Sequence, residues 1–199
     1  MLCLEDIKSH RTVCSSSAQW VDVVNVAALL ENTTPETVIF VDVGGSVGHQ
    51  SVAFKQRFPN MPGRVILQDL EGPIGAAIPF DGIDKQAVDF WQPQKVKGAR
   101  IYYMRNILHD WTDEKAIELL KITRAACGPD SVIVIDEMVL PDIDAHWRAT
   151  AMDINMLSTV AALERTETDW RLLLKSAGLS LREFRTYQHE TAFSVIIAA

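Results

Sequence analysis

Val38-Ile39-Phe40-Val41-Asp42-Val43-Gly44-Gly45-Ser46-Val47-Gly48 passes from an apolar, β-branched run through a carboxylate into a glycine-rich turn. A run of this kind reads as a strand buried on both faces of a parallel sheet. In open α/β sheets, ligands bind where the carboxyl ends of the strands meet their loops. Glycine at that place lets the backbone approach a ligand and take a positive φ without steric cost. An ordinary tight turn is the plainer account of the same cluster. The spacing is G-G-x-x-G, not the G-x-G-x-x-G of dinucleotide binders, which makes a nicotinamide dehydrogenase the weakest of the available functions.

Outward from this strand the pattern alternates. A short helix is expected over 50–57, with strands at 64–69, 86–89, 99–105 and 131–137. Thr112 stands as the N-cap of a helix with Asp113 and Glu114 in its first turn, stopped by Gly128-Pro129. Ala116, Leu119, Leu120, Thr123 and Cys127 form its core-facing stripe, widened by Ile117 and Ile122. A further helix is expected over 149–160. Another starts at the Thr166 cap, with Asp169 as the capping-box acid, and ends at Gly178. Residues 181–187 and 193–198 read as a closing hairpin at the sheet edge. The alternation predicts an α/β fold: a Rossmann-like sandwich, mostly parallel, with a C-terminal antiparallel hairpin. Residues 1–37 are expected to be a short extension, with one helix over 19–31, ahead of a single domain spanning 38–199.

Composition bounds the function. The chain has 199 residues, is 48% hydrophobic and carries a formal charge of −7. That charge argues against nucleic acid as the main partner, since phosphate binding needs a basic face. Lys95, Lys97 and Arg100 make the densest basic cluster and read as a solvated loop, not a membrane patch. Three cysteines without C-x-x-C spacing suit a reducing compartment. No stretch approaches membrane-spanning length, and a cytoplasmic protein is expected.

Polar groups gather at successive strand ends: Asp42 with the glycine loop, Asp69, Asp89, and Arg105 leading to His109. A carboxylate after the second strand accepts two hydrogen bonds from a ribose diol, which points to an adenosine-containing ligand. His109, in Leu108-His109-Asp110-Trp111, is the histidine placed to move a proton near neutral pH. Glu137 and Glu164 stand at comparable places, and a carboxylate beside the imidazole would orient it and raise its basicity.

Taken together, Asp42-Val-Gly-Gly-Ser-Val-Gly48, Leu67-Gln-Asp-Leu70, Arg105-x-x-x-His109-Asp-Trp, Asp136-Glu-Met-Val-Leu-Pro141 and Glu164-Arg-Thr resemble the S-adenosylmethionine-dependent small-molecule O-methyltransferases. Plant caffeic-acid-type and fungal sterigmatocystin-type enzymes share the pattern, and the Gly-Gly-Ser form is more like the fungal ones. The resemblance covers about residues 38–199 and implies roles by position. Gly44, with Asp42, Gly45 and Gly48, would face the methionine part of the cofactor. Asp69 would serve the ribose, Asp89 and Phe90 the adenine, and Leu70 would also contact the cofactor. Arg105 stands where the family usually has a lysine near the cofactor. His109 would be the general base, flanked by Glu137 and Glu164, and Asn106, Asn155 and Met156 would line the acceptor pocket. No metal is required for removing a phenolic proton as the oxygen attacks the methyl group, and the resemblance implies a small hydroxylated secondary metabolite as the partner.

The family normally carries a larger N-terminal domain that dimerises and closes over the acceptor. With 37 residues ahead of the first strand, that domain is expected to be missing, which leaves the oligomeric state open. A cofactor-binding partner subunit without turnover, a degenerate fragment and a pericyclase-like relative are the other functions the sequence admits.

Overall fold

The computed structural model describes residues 19–160 and 162–199. Its centre is one eight-stranded sheet with order β3-β2-β1-β4-β5-β8-β7, and a short β6 pairs with β5 off this path. The strands are β1 (Val38–Val43), β2 (Arg64–Asp69), β3 (Ile83–Ala87), β4 (Ile101–Arg105), β5 (Val132–Leu140), β6 (Arg165–Thr166), β7 (Leu181–Gln188) and β8 (Phe193–Ala198). β1 to β6 pair in parallel, and β8 lies antiparallel between β5 and β7. β1 has β2 on one side and β4 on the other, so the strand order reverses there and opens a crevice at their carboxyl ends.

Helices cover both faces. α3 (His49–Arg57), α4 (Glu71–Gly75), α5 (Asp113–Arg124), α6 (Trp147–Val160) and α7 (Glu167–Ser176) follow strands β1, β2, β4, β5 and β6. Alternation along each strand divides the core in two. Val41, Tyr102, Met104, Ile133 and Ile135 pack with Leu119, Leu120, Trp170 and Leu173 from α5 and α7. Phe40, Tyr103, Val132 and Val134 pack on the opposite face with Phe54 of α3.

The segment expected as one helix over 19–31 is two short ones, α1 (Trp20–Val23) and α2 (Val26–Leu29). Val24 is extended between them, and the Asn25 side chain accepts a hydrogen bond from the Ala28 N–H. Four valines in this stretch lose rotamer freedom in a helix, which weakens a continuous one. The break lets Trp20 stack against Phe40, Phe54 and Tyr103, at centroid separations of 6.2, 6.3 and 5.0 Å.

Other boundaries shift for physical reasons. The third strand occupies 83–87 instead of 86–89, because its register follows β2 from Val65 to Asp69. Asp89 therefore lies beyond the strand, where its carboxylate accepts the Trp91 N–H in a turn. β5 runs past Glu137 to Leu140, held by β8 and β6, so Glu137 lies within the strand and not at its end. Thr112 does precede α5, but its side chain makes no capping bond. Cys127 lies past the end of α5 and donates to the Thr123 carbonyl. The Thr166–Asp169 capping box forms as its sequence implies.

The Trp20 cluster makes residues 19–30 part of the sheet's packing. Trp20→Ala is expected to cost about 3–5 kcal/mol, in the range for truncating a buried aromatic, and urea unfolding measures it. A loss below about 1 kcal/mol would mean that this segment is dispensable to the core.

Candidate functional site

The glycine loop forms one wall of the crevice. The Gly44 and Gly45 N–H groups both donate to the Gln68 carbonyl, 2.8 and 3.1 Å away, which folds the chain back toward β2. A Cβ on Gly45 would lie 2.4 Å from Asp42 Cγ and 2.6 Å from Leu67 Cδ1, so only glycine fits. Gly48, at φ 90°, turns the chain into α3. Asp42 is buried, and its Oδ2 accepts the backbone N–H and the hydroxyl of Ser51 at 3.1 and 2.7 Å. It thus ties the first turn of α3 to β1. Burial, opposed by these bonds, pushes its carboxyl up to about 6.

Asp69 is half-buried at the end of β2. Its Oδ2 accepts the Ser46 N–H at 2.7 Å and its Oδ1 the Leu70 N–H at 2.7 Å. The carboxylate is fixed from both sides and keeps lone pairs for further donors. Leu70 beside it is 57% exposed. Phe90 reaches across toward Gly44, and Trp91 and Trp111 meet edge to face 4.8 Å apart next to it.

The second wall is the segment after β4. Asn106 takes a left-handed φ of 52°, a conformation asparagine tolerates better than most residues. Ile107 leans on the glycine loop, with its Cδ1 2.7 Å from where a Gly44 Cβ would stand. His109 follows in a single 3-10 turn, Leu108–Asp110. Its Nδ1 lies 2.9 Å from Glu164 Oε1 and its Nε2 3.6 Å from Asp110 Oδ1. The imidazole is 12% exposed and the Glu164 side chain 2%.

Glu137 does not hydrogen-bond His109. Its Oε1 accepts the N–H groups of Ile107 and Leu108 at 3.0 and 2.6 Å, so it holds the backbone that carries the histidine. Glu137 Oε2 and Glu164 Oε2 are buried and have no hydrogen-bond partner among the described residues. Burial pushes the Glu137 carboxyl up to about 7, against the pull of His109 and the two N–H groups. Burial alone would lower the basicity of His109. The Glu164 hydrogen bond and the charges of Glu137, Glu164 and Asp110 outweigh it and hold the imidazole above its ordinary value.

Arg105 is engaged within the sheet. Its Nη1 is 3.3 Å from Asp136 Oδ2, and its guanidinium lies 5.5 Å from the centre of the Phe193 ring. Buried Asp136 also accepts the hydroxyls of Tyr103 and Tyr187. Asn155 and Met156 are on α6, exposed and half-buried, and no hydrogen bond among the described residues joins them or the Asn106 side chain to the histidine. The same helix does reach the site through Asp153, whose Oδ1 accepts the Glu164 N–H at 2.9 Å.

Two contributors had no role assigned from sequence. Ser46 offers its N–H to Asp69, and Arg165 binds the histidine segment from outside. Arg165 sits within the Glu164-Arg-Thr motif, and that position beside a charged partner of His109 was the available signal.

A doubly wound sheet with a glycine loop, a β2 carboxylate and a histidine–carboxylate pair around the switch point defines the methyltransferase type of α/β sandwich. A family model described as an O-methyltransferase domain matches residues 6–180, and the chain belongs to that family. It is 41% identical over 190 residues to demethylsterigmatocystin 6-O-methyltransferase stcP of Emericella nidulans, covering 94% of this chain and 93% of that one. It spans about half the length of most other curated relatives it matches. A solved structure of LepI in complex with SAM shares 36% identity and superimposes with a TM-score of 0.83, over 88% of this chain and 46% of that one. A pericyclic reaction enzyme shares 31% identity at a TM-score of 0.87, over 100% of this chain and 55% of that one. No helix among the described residues is long and apolar enough to cross a membrane.

The raised groups tie stability to pH. A carboxyl that ionises less readily in the folded chain favours folding below its ordinary value and loses that advantage as pH climbs to the folded one. For Glu137 the window runs from 4.5 to about 7, and for Asp42 from 3.8 to about 6. His109, also raised, stabilises the fold below its ordinary 6.5 and ceases to as pH rises through its folded value. All three act in the same direction. Glu137→Gln keeps an acceptor for the two N–H groups but cannot ionise. Its stability in urea should fall less than wild type between about pH 5 and about pH 8, by at most about 3 kcal/mol. Parallel pH curves for the two proteins would remove Glu137 from this account.

Proposed function

We propose that this chain binds S-adenosylmethionine at the glycine loop and methylates a hydroxyl, phenolic in character, of a small secondary metabolite, with His109 as general base. The observation that carries this reading is the His109–Glu164 pair, set across the crevice from the glycine loop, with Ile107 in contact with that loop. The catalytic unit is taken as residues 38–199, with the segments before β1 bracing its sheet. A reducing, cytoplasmic setting fits its three cysteines, and its net negative charge favours a small-molecule acceptor over nucleic acid.

The residues present fit an adenosine-bearing cofactor. Asp69 keeps lone pairs for a ribose diol, while Leu70 and Phe90 offer apolar surface to an adenine ring. Gly44, Gly45 and Gly48 would bring the backbone close to the amino-acid end, with Asp42 and Asp89 shaping the loops around it. When bound, S-adenosylmethionine supplies a methyl group on a positively charged sulfur, which departs as a neutral thioether.

The chain's own part is orientation and proton removal. Glu164 accepts from Nδ1–H and thereby fixes the tautomer in which Nε2 carries the free lone pair. Nε2 then takes the proton of the acceptor hydroxyl, and the adjacent carboxylate stabilises the imidazolium that results. Glu137 keeps the histidine's backbone in place. Asn106, Asn155 and Met156 would border the acceptor, and holding the two reactants in near-attack geometry supplies much of the acceleration.

Calorimetric titration with S-adenosylmethionine, followed by mass spectrometry of a phenol panel, tests the reading. One-site binding with a gain of one methyl supports it; a product of unchanged mass would move the protein to rearrangement chemistry. Absence of binding by the folded chain would overturn it. Asp69→Ala should weaken cofactor binding at least tenfold, or about 1.4 kcal/mol, without unfolding the chain.

His109→Ala should lose turnover by a factor of about 100 or more while binding cofactor as before. A free-base requirement places the acid limb of the rate profile above the ordinary histidine value, because His109 must lose its proton first. Glu164→Gln should move that limb to lower pH and lower the plateau. A limb that stayed in place would mean that some other group titrates.

A further inference from the structure

We propose that Arg165 is a positioning residue that fixes the His109 segment against Glu164. This rests on the general-base reading above and extends it to a side chain that touches no reacting atom.

The segment from Ile107 to Trp111 leaves the sheet before α5 begins, and its one 3-10 turn pairs only Asp110 N–H and Trp111 N–H at 3.3 Å, so its other peptide groups need partners from elsewhere. Arg165 Nη1 donates to the Leu108 carbonyl at 2.8 Å and Nη2 to the Trp111 carbonyl at 2.7 Å. These two acceptors bracket His109 in the chain. Nε donates to Asp113 Oδ1 at 2.8 Å, which locks the plane of the guanidinium onto the start of α5. The opposite side of the group lies over Trp170, 5.4 Å from its ring centre. Arg165 is 8% exposed, so these bonds form largely out of water.

The residue before it is Glu164. A single peptide unit therefore carries the acceptor for His109 Nδ1 and the fork that grips the histidine's own backbone. β6 registers both on the end of β5, through Val139 opposite Arg165 and Leu140 opposite Thr166. Only a planar, multidonor group can span two carbonyls and a carboxylate at once. A lysine would keep the charge but offer one point of attachment.

Arg165→Lys tests this in the free chain by NMR, with the His109 ring signals assigned through His109→Gln. The wild type should show a downfield Nδ1–H resonance, the signature of a histidine bonded to a carboxylate. In Arg165→Lys that resonance should weaken or vanish, and the His109 titration midpoint should fall by about half a pH unit or more, although the local charge is conserved. An unchanged resonance and midpoint in a variant that melts cooperatively would overturn the proposal. If the lysine variant does not fold, Asp113→Ala frees only the Nε end at an exposed position. It should weaken the Nδ1–H resonance in the same way but less, and an unchanged resonance would again overturn the proposal. Survival of turnover in His109→Ala would sink the general-base reading alone, because the NMR result does not depend on catalysis.

Discussion

Seven residues separate β4 from α5, and beyond the one 3-10 turn among them two buried side chains supply the hydrogen-bond partners that neither ladder nor α-helix offers. Glu137 takes the N–H groups of Ile107 and Leu108 from the sheet side. Arg165 takes the carbonyls of Leu108 and Trp111 from the α7 side. Each group left unpaired in this interior would cost about 1–3 kcal/mol. The geometry of the histidine is therefore a by-product of hydrogen-bond satisfaction in the segment that carries it. Remove either clamp and the imidazole loses the reason to stand where it does.

The glycine loop obeys the same logic on the other wall. Asp42 binds Ser51 and thereby anchors α3, while Asp69 binds Ser46 and Leu70 and thereby anchors the loop's tip. Both acids work on backbone, but only Asp69 remains half-open to solvent. Burial separates two carboxylates that look alike in sequence: one is sealed against α3, and the other keeps part of its surface open to solvent.

Periodicity and motif order make the sheet legible in the sequence: β1 and β2 match their expected ends, and the hairpin and the Thr166 cap are where their residues imply. What failed to show was decided by contacts distant in sequence. The one-helix expectation for 19–31 gave way to Trp20 stacking on rings from β1, α3 and β4. Glu137 was read as a strand end because its motif stops there, whereas pairing with β6 and β8 carries β5 three residues further. The His109–Glu164 contact forms, while Arg105 turns to Asp136 and Phe193, and the α6 residues make no hydrogen bond to the histidine.

The rim of the crevice also has an optical property. Of five tryptophans, Trp20 and Trp170 are sealed in the two cores and Trp147 lies out in solvent. Trp91 and Trp111 stand together beside Phe90, with the Lys115 ammonium 4.9 Å from the centre of the Trp91 ring. Indole emission follows local polarity and nearby charge, and the sealed pair would provide a steady background to any change at Trp91 and Trp111. A ligand entering beside Phe90 would therefore alter the emission of this pair, and no label would be needed to follow it.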